Sequence, residues 1–513
     1  MLSNKFSKNL IRVSLGLVIA GTALVGCDKN DAVVTPTPTP AARPNQVFYA
    51  LTNDNKVVMY NAQTAETAGT TLNVTGLQAG ERLLSIDFRP STGQLYALGS
   101  SSRIYFIDLN SGAATAPNIN AFTPALVGTI ANIDFNPTVD RIRLVTNSGQ
   151  NLRLNPETGA TAAVDGVING GSNPAINSIA YTNNNATATA TELYDIDATT
   201  KKLYKQNPPN NGTLTEVGTI PVNFQDKAGF DINADNSVAL ATFVVGGVTK
   251  LYTIDLANAN ATFLANMADG IIDIAIPTLP VAYATTAMGG LQVFNPLVAN
   301  SAVTRTITGL GAGESILGID FRPVNGQLYG IAATAAGAAK LYTFNLATGA
   351  ATGIGAGFNI GAGITAAGFD FNPTVDRIRF VANNGANLRL NPNDGSIAAT
   401  DLSLNPGTPM VTSAAYTNNF AGTTSTVLYV ADATTLYIQN PPNNGTLVPV
   451  GPLGITVGAN NGFDIGGRSN SAFAIHTVGT ATKVYTINLA TGAATAGVDY
   501  PNAVTGMAVG LGF

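Results

Sequence analysis

The 513-residue chain has one cysteine, one histidine, no tryptophan and only 11% charged residues. A single cysteine excludes a disulfide framework and any cysteine-based zinc site. A single histidine, His476, excludes multi-histidine metal sites and leaves little for histidine-based catalysis. The formal charge is −5, and three of the bases fall in the first 26 residues, so the rest of the chain is more acidic still. That balance argues against nucleic acid, or an anionic membrane surface, as a partner. The sequence contains no contiguous DxDxDG-type calcium loop and no glycine-rich phosphate loop between a strand and a helix, and no cofactor is expected. What is plentiful is apolar residues, at 45%, and glycine, at 54 residues. This is ample for packed cores and for two to four domains, or fewer if they are large all-β units.

Lys5, Lys8 and Arg12 precede the apolar run Val13–Leu24. A basic segment followed by an apolar run too short to span a bilayer reads as a secretory signal peptide over residues 1–26. The run ends in Leu24-Val25-Gly26-Cys27, which resembles the lipobox of bacterial lipoproteins. The resemblance implies cleavage before Cys27, lipid attachment to its thiol, and an exported protein held at the bacterial cell envelope. The membrane would then be a partner through lipidated Cys27, with inner and outer membrane equally open. The alternative is an ordinary signal peptide with a coincident cysteine. Residues 27–44 form a Thr/Pro-rich spacer, whose prolines favour an extended backbone of about 3.1 Å per residue, or up to about 55 Å in all.

The remainder is an internal duplication. Asp87-Phe-Arg-Pro90 recurs as Asp320-Phe-Arg-Pro323, and the ten residues Asp134–Arg143 (DFNPTVDRIR) recur unchanged as Asp370–Arg379. Gln206–Leu214 recurs as Gln439–Leu447, and Gly229-Phe-Asp-Ile232 as Gly462-Phe-Asp-Ile465. The halves are residues 45–276 and 281–513, joined by Pro277-Thr-Leu-Pro280. Within each half a period of about 45 residues repeats a pattern of strands rich in β-branched and aromatic residues, punctuated by Gly, Pro and Asn. Four-stranded units at that period predict an all-β β-propeller: ten four-stranded blade-like repeats in two five-blade halves. A solenoid or a sandwich array is the alternative.

The ring count is open at this stage. Val504–Val509 reads as an inner strand without followers and Gln46–Leu77 as three strands without a leader, so joining them would close one ten-bladed ring. The links from Ile276 to Val281 span at most about 18 Å, which also suits one ring. Closure of each half alone would give two five-bladed rings.

The succession YALT, GLQAGE, DFRP, GQLYAL, DFNPTVDRIR, NLRLNP, QNPPNNGTL, GFDI resembles the bacterial secreted domain of unknown function numbered 4394, in two tandem copies. The resemblance covers nearly all of residues 45–513 and implies no catalytic residues, because the family has none assigned.

The richest polar cluster is duplicated: Asp134, Asp140, Arg141, Arg143 and Arg153, with Asp370, Asp376, Arg377, Arg379 and Arg389. Arg141 and Arg143 lie two apart on a strand and share a face. The cluster reads either as a clamp for a carboxylate or sulfate ligand, since guanidinium groups bind such anions bidentately, or as an Asp–Arg ladder between blades. Aligning blades sets Arg143 on Ala97, a position packed between neighbours, with Asp134 and Asp87 as expected carboxylate partners. The Asn-Pro-Pro-Asn-Asn-Gly segments at Asn207–Gly212 and Asn440–Gly445 read as demanding turns or as ligand loops. Asp87, Asp134, Asp320 and Asp370 could converge on a channel, where acid–base work would need paired carboxylates. His476 has Phe243 at the matching place of the first half. The reading is a lipid-anchored binding or scaffolding protein with a glycan or protein ligand. The alternative is an extracytoplasmic glycan hydrolase or lyase using channel Asp and Arg residues.

Overall fold

A computed structural model describes residues 42–171, 173–225 and 228–513. Cys27, the signal segment and most of the spacer lie outside the described residues. Among the described residues no helix is long and apolar enough to cross a membrane.

The strands assemble into ten four-stranded antiparallel sheets with propeller-like blades. Three single-turn 3-10 helices are the only helical elements among the described residues. In the first half the innermost strands are Leu83–Phe88, Ala131–Asn136, Ile176–Tyr181, Ala228–Ile232 and Ile271–Ala275. Each lies against the next and the fifth lies against the first. In the second half the same cycle is made by Ser315–Arg322, Ala367–Asn372, Ser413–Tyr416, Asn461–Ile465 and Val504–Val509. These define blades one to five of each ring.

Each half closes on itself. Ile271–Ala275 pairs with Val47–Thr52, setting Ala275 opposite Tyr49, and completes a sheet with Lys56–Asn61 and Thr71–Asn73. Val504–Val509 pairs with Ala282–Thr286, setting Val509 opposite Ala282. Of the two arrangements the sequence left open, the union of Val504–Val509 with the N-terminal strands does not occur, and the arrangement is two five-bladed rings. The short link is no obstacle. Ala282–Thr286 is the second strand of its blade, so the chain leaving Ile276 need not reach the other ring's centre.

Blades adhere through apolar faces, as alternation along each strand requires. The phenylalanine after each DF aspartate receives a tyrosine from the preceding blade edge-on: Tyr49–Phe88 at 5.5 Å, Tyr96–Phe135 at 5.1 Å, Tyr283–Phe321 at 5.4 Å and Tyr329–Phe371 at 5.2 Å. Such pairs contribute about 0.5–1.5 kcal/mol each beyond area burial. The rings also touch each other. The Gly512 N–H donates to the Thr92 carbonyl at 2.9 Å, and Arg468 donates to the Tyr49 hydroxyl at 3.0 Å. Gly93 has φ of +72°, and a Cβ there would lie 2.3 Å from the Phe513 ring. Glycine at this positive φ lets the two segments of the chain meet at that point.

Candidate functional site

The duplicated polar cluster separates into three arrangements. Arg143 is 2% exposed and lies on the second strand of blade two, opposite Asp134 in the register. Its guanidinium runs outward, donating to Asp165 at 2.6 Å, Asn151 at 2.8 Å and Asn210 at 2.6 Å. Arg379 repeats this with Asp401, Asn387 and Asn443. The expected partners Asp134 and Asp87 are thus replaced by Asp165. The short Asp134 side chain turns toward the ring centre and accepts the Tyr181 N–H at 2.9 Å, whereas the longer arginine reaches the outer strands. Arg153 makes a bidentate pair with the same Asp165 at 2.8 Å, as Arg389 does with Asp401 at 2.9 Å. Burial alone would raise the Asp165 carboxyl, but Arg153 and Arg143 hold it below the usual range. Arg141 and Arg377 donate to the carbonyls of Asp140 and Asp376.

Asn210 and Asn443 belong to the Asn-Pro-Pro-Asn-Asn-Gly segments, so these turns are held by the arginine of the neighbouring blade. Asn151 and Asn387 add bonds to Pro209 and Pro442 carbonyls, both at 3.0 Å. Between blades two and three of the first ring lies a cleft of about 300 Å³, walled by Thr138, Arg143, Arg153, Tyr181, Thr191 and Asn210 among others.

Asp140 answers a residue of the previous blade. Arg89, the arginine of DFRP, is fully buried and pairs with Asp140 through Nε at 2.9 Å and with Glu157 at 3.0 Å. Arg322 pairs with Asp376 through Nε at 2.8 Å. Both motifs are visible in the sequence, but the spacing of about 50 residues conceals that one serves the other.

The third arrangement lies at the ring centres. Carboxylate oxygens of Asp87, Asp134 and Asp231 lie within 4.8 Å of one another, as do those of Asp320, Asp370 and Asp464, and all six residues are buried. Asp231 and Asp464 were not singled out from sequence; the signal was the GFDI motif, whose aspartate occupies the DF position of its blade. An innermost strand has an unpaired edge, and its N–H groups need acceptors. In the first ring Asp87 accepts from Phe88 at 2.7 Å and Phe135 at 2.6 Å, and Asp134 from Tyr181. Asp231 accepts from Ile232 at 2.6 Å and from Ile276 at 2.5 Å. Three carboxylates thus satisfy one N–H from every blade. The second ring repeats this with Phe321, Phe371, Tyr416, Ile465 and Val509.

Burial, before any neighbouring charge, pushes all six carboxyls up, Asp231 to about 8 and Asp464 to about 7. The first ring adds Asp273, raised by burial to about 7, which accepts from Ser85 Oγ at 2.6 Å and Ile86 N at 2.9 Å. His476 lies away from both centres, buried against Tyr485 at 5.5 Å.

The family model described as Domain of unknown function (DUF4394) matches residues 56–275 and again 291–508. No curated protein matches the chain. Among solved structures, a Lactobacillus plantarum protein is 15% identical, with 63% of this chain and 96% of that one covered and a TM-score of 0.28. PorZ, an essential bacterial surface component of the type-IX secretion system of Porphyromonas gingivalis, is 12% identical, with 87% and 64% covered and a TM-score of 0.23. Likenesses this weak carry no argument about fold or activity.

Proposed function

The chain belongs to the DUF4394 family, in two tandem copies, and from that premise we propose a lipid-anchored binding or scaffolding protein of the bacterial cell envelope, with a glycan as ligand. The observation that carries the reading is the cleft between blades two and three. Its wall sets hydroxyl, amide and guanidinium groups beside the apolar Val139, Ala190 and Pro209. It thus offers partners for sugar hydroxyls and carboxylates and apolar surface for a sugar ring. Arg143 and Asn210 are fixed by their mutual bond, while the Arg153 side chain is one-third exposed and can meet a ligand. The ring-centre carboxylates support binding over hydrolysis: they are buried, and their oxygens accept backbone N–H groups, so they present no acid–base pair to a sugar. The lipobox-like Leu24–Cys27 supports the anchor.

The test is to screen the purified protein against glycans for both binding and turnover. Reversible binding, weakened by Arg153→Ala, is the expected result, and product formation would favour the hydrolase or lyase reading instead. For the anchor, Cys27→Ser should move the protein from the detergent phase to the aqueous phase. Unchanged partitioning would remove the lipid from the proposal.

A further inference from the structure

The second ring centre gathers three buried carboxyl groups without a basic partner among the described residues. Asp320, Asp370 and Asp464 are each about 1% exposed, and among the described residues no lysine or arginine pairs with any of them. Five of their six oxygens accept a backbone N–H, the exception being the second oxygen of Asp370. N–H donors favour ionised carboxylates, while a neutral acid needs an acceptor for its own proton. The bonding pattern has room for one such proton, between Asp370 and Asp464. The five N–H donors are therefore fully used only when the other carboxyls ionise, which in a buried site calls for a cation. Uncompensated buried charge is strongly unfavourable.

A second, separate observation points to a ligand. One step along the same strands is a small cavity lined by Gly318, Gly368, Ser413, Gly462 and Gly506, with Asn461 beside them. Ser413 and Asn461 are each 4% exposed, and Ser413 Oγ and Asn461 Oδ1 have no hydrogen-bond partner among the described residues. Both are neutral oxygens of the kind a hard cation or its water uses. The corresponding layer of the first ring is filled differently, with Ser85 and Asp273 bonded to each other.

We propose that the centre of the second ring binds one divalent cation of the calcium class, held by Asp320, Asp370 and Asp464, with Ser413 facing its hydration. Calcium takes oxygen ligands at about 2.3–2.6 Å, so opposing ligands stand about 4.6–5.2 Å apart, matching oxygens gathered within 4.8 Å. The absence of a contiguous calcium loop in the sequence is no objection, because the ligands come from three blades separated by about 50 and 94 residues. The cation would lock the inner strands of the ring rather than take part in glycan recognition.

The test uses the full chain, stripped with EDTA and dialysed against calcium chloride or magnesium chloride. Calcium should raise Tm, magnesium should raise it less, and elemental analysis should show one bound calcium equivalent fewer in Asp464→Asn than in the parent. Should Asp464→Asn fail to fold, Ser413→Ala keeps the question open to measurement, with calcium binding expected to weaken at least several-fold while the EDTA-stripped protein melts as the parent does. A parent Tm indifferent to calcium from pH 6 to 8, or equal bound calcium in parent and Asp464→Asn, would overturn the proposal and leave protons as the only occupants.

Discussion

Arg89 of the first ring donates from Nη1 to the carbonyl oxygen of Gly326 in the second, at 3.1 Å, while its other nitrogens hold Asp140 and Glu157. One buried guanidinium therefore joins two blades and two rings. Arg89→Ala would leave the Asp140 carboxylate buried without its cation and should cost about 3–5 kcal/mol. Arg322, its counterpart, bonds to no described residue of the other ring and pairs with an Asp376 side chain that is 27% exposed. Arg322→Ala should therefore cost less. Chemical denaturation of the two variants side by side checks the order.

Arg143 and Asp165 should behave as a coupled pair. Arg143→Ala should destabilise by about 3 kcal/mol, because Arg153 remains to compensate part of the Asp165 charge. A double-mutant cycle with Asp165→Asn should show coupling of at least about 1 kcal/mol, and a cycle with Asp134→Asn markedly less. The reverse order would mean that the guanidinium turns inward.

His476 and Asp195 are buried polar residues that the opposite ring replaces with apolar ones. His476 packs against Tyr485 with rings tilted at 5.5 Å and 44°, much as Phe243 packs against Tyr252 at 5.4 Å and 43°, and His476 Nδ1 has no hydrogen-bond partner among the described residues. Burial lowers the imidazole pKa to about 4. Because the folded value is below the unfolded one, the neutral ring's contribution is full above pH 6.5 and is lost as pH falls toward 4. His476→Phe should raise stability and remove that part of the acid-side loss, as a Tm series from pH 4 to 7 would show.

Asp195 stands where the second ring has Val430, by the register of their strands with Ile179 and Ala414. Among the described residues neither carboxylate oxygen has a hydrogen-bond partner, and burial raises the carboxyl well above its usual range despite Arg143 nearby. A raised folded pKa gives stability that is complete below pH 4 and is lost as pH climbs. Asp195→Val should stabilise by about 1–3 kcal/mol at neutral pH and less at pH 4. Equal gains at both pH values would show that the carboxylate is not desolvated.

Ring closure within each half makes residues 281–513 a folding unit. Expressed alone, they should sediment as a monomer and melt in one transition. The Tm should be lower than in the full chain, since Leu511 and Phe513 would lose the cover of Gly93 and its turn. An unfolded or obligately dimeric fragment would contradict independent closure.

The amino-acid order alone determined the strands, their period and the duplication, because alternation and turn residues act over a few positions. It also marked the aspartates and arginines as clustered by motif. Three matters were decided only by the tertiary structure. Val504–Val509 and Ile271–Ala275 present equivalent unpaired edges, so the partner of each was set by which five blades could pack into a ring, a long-range condition absent from local pattern. Arg143 and Asp134 face one another in register, yet side-chain length sends one outward to Asp165 and the other inward to a backbone N–H. The grouping of Asp320, Asp370 and Asp464 follows from closure itself: residues about 50 and 94 positions apart meet only when inner-strand edges converge and their unpaired N–H groups demand acceptors.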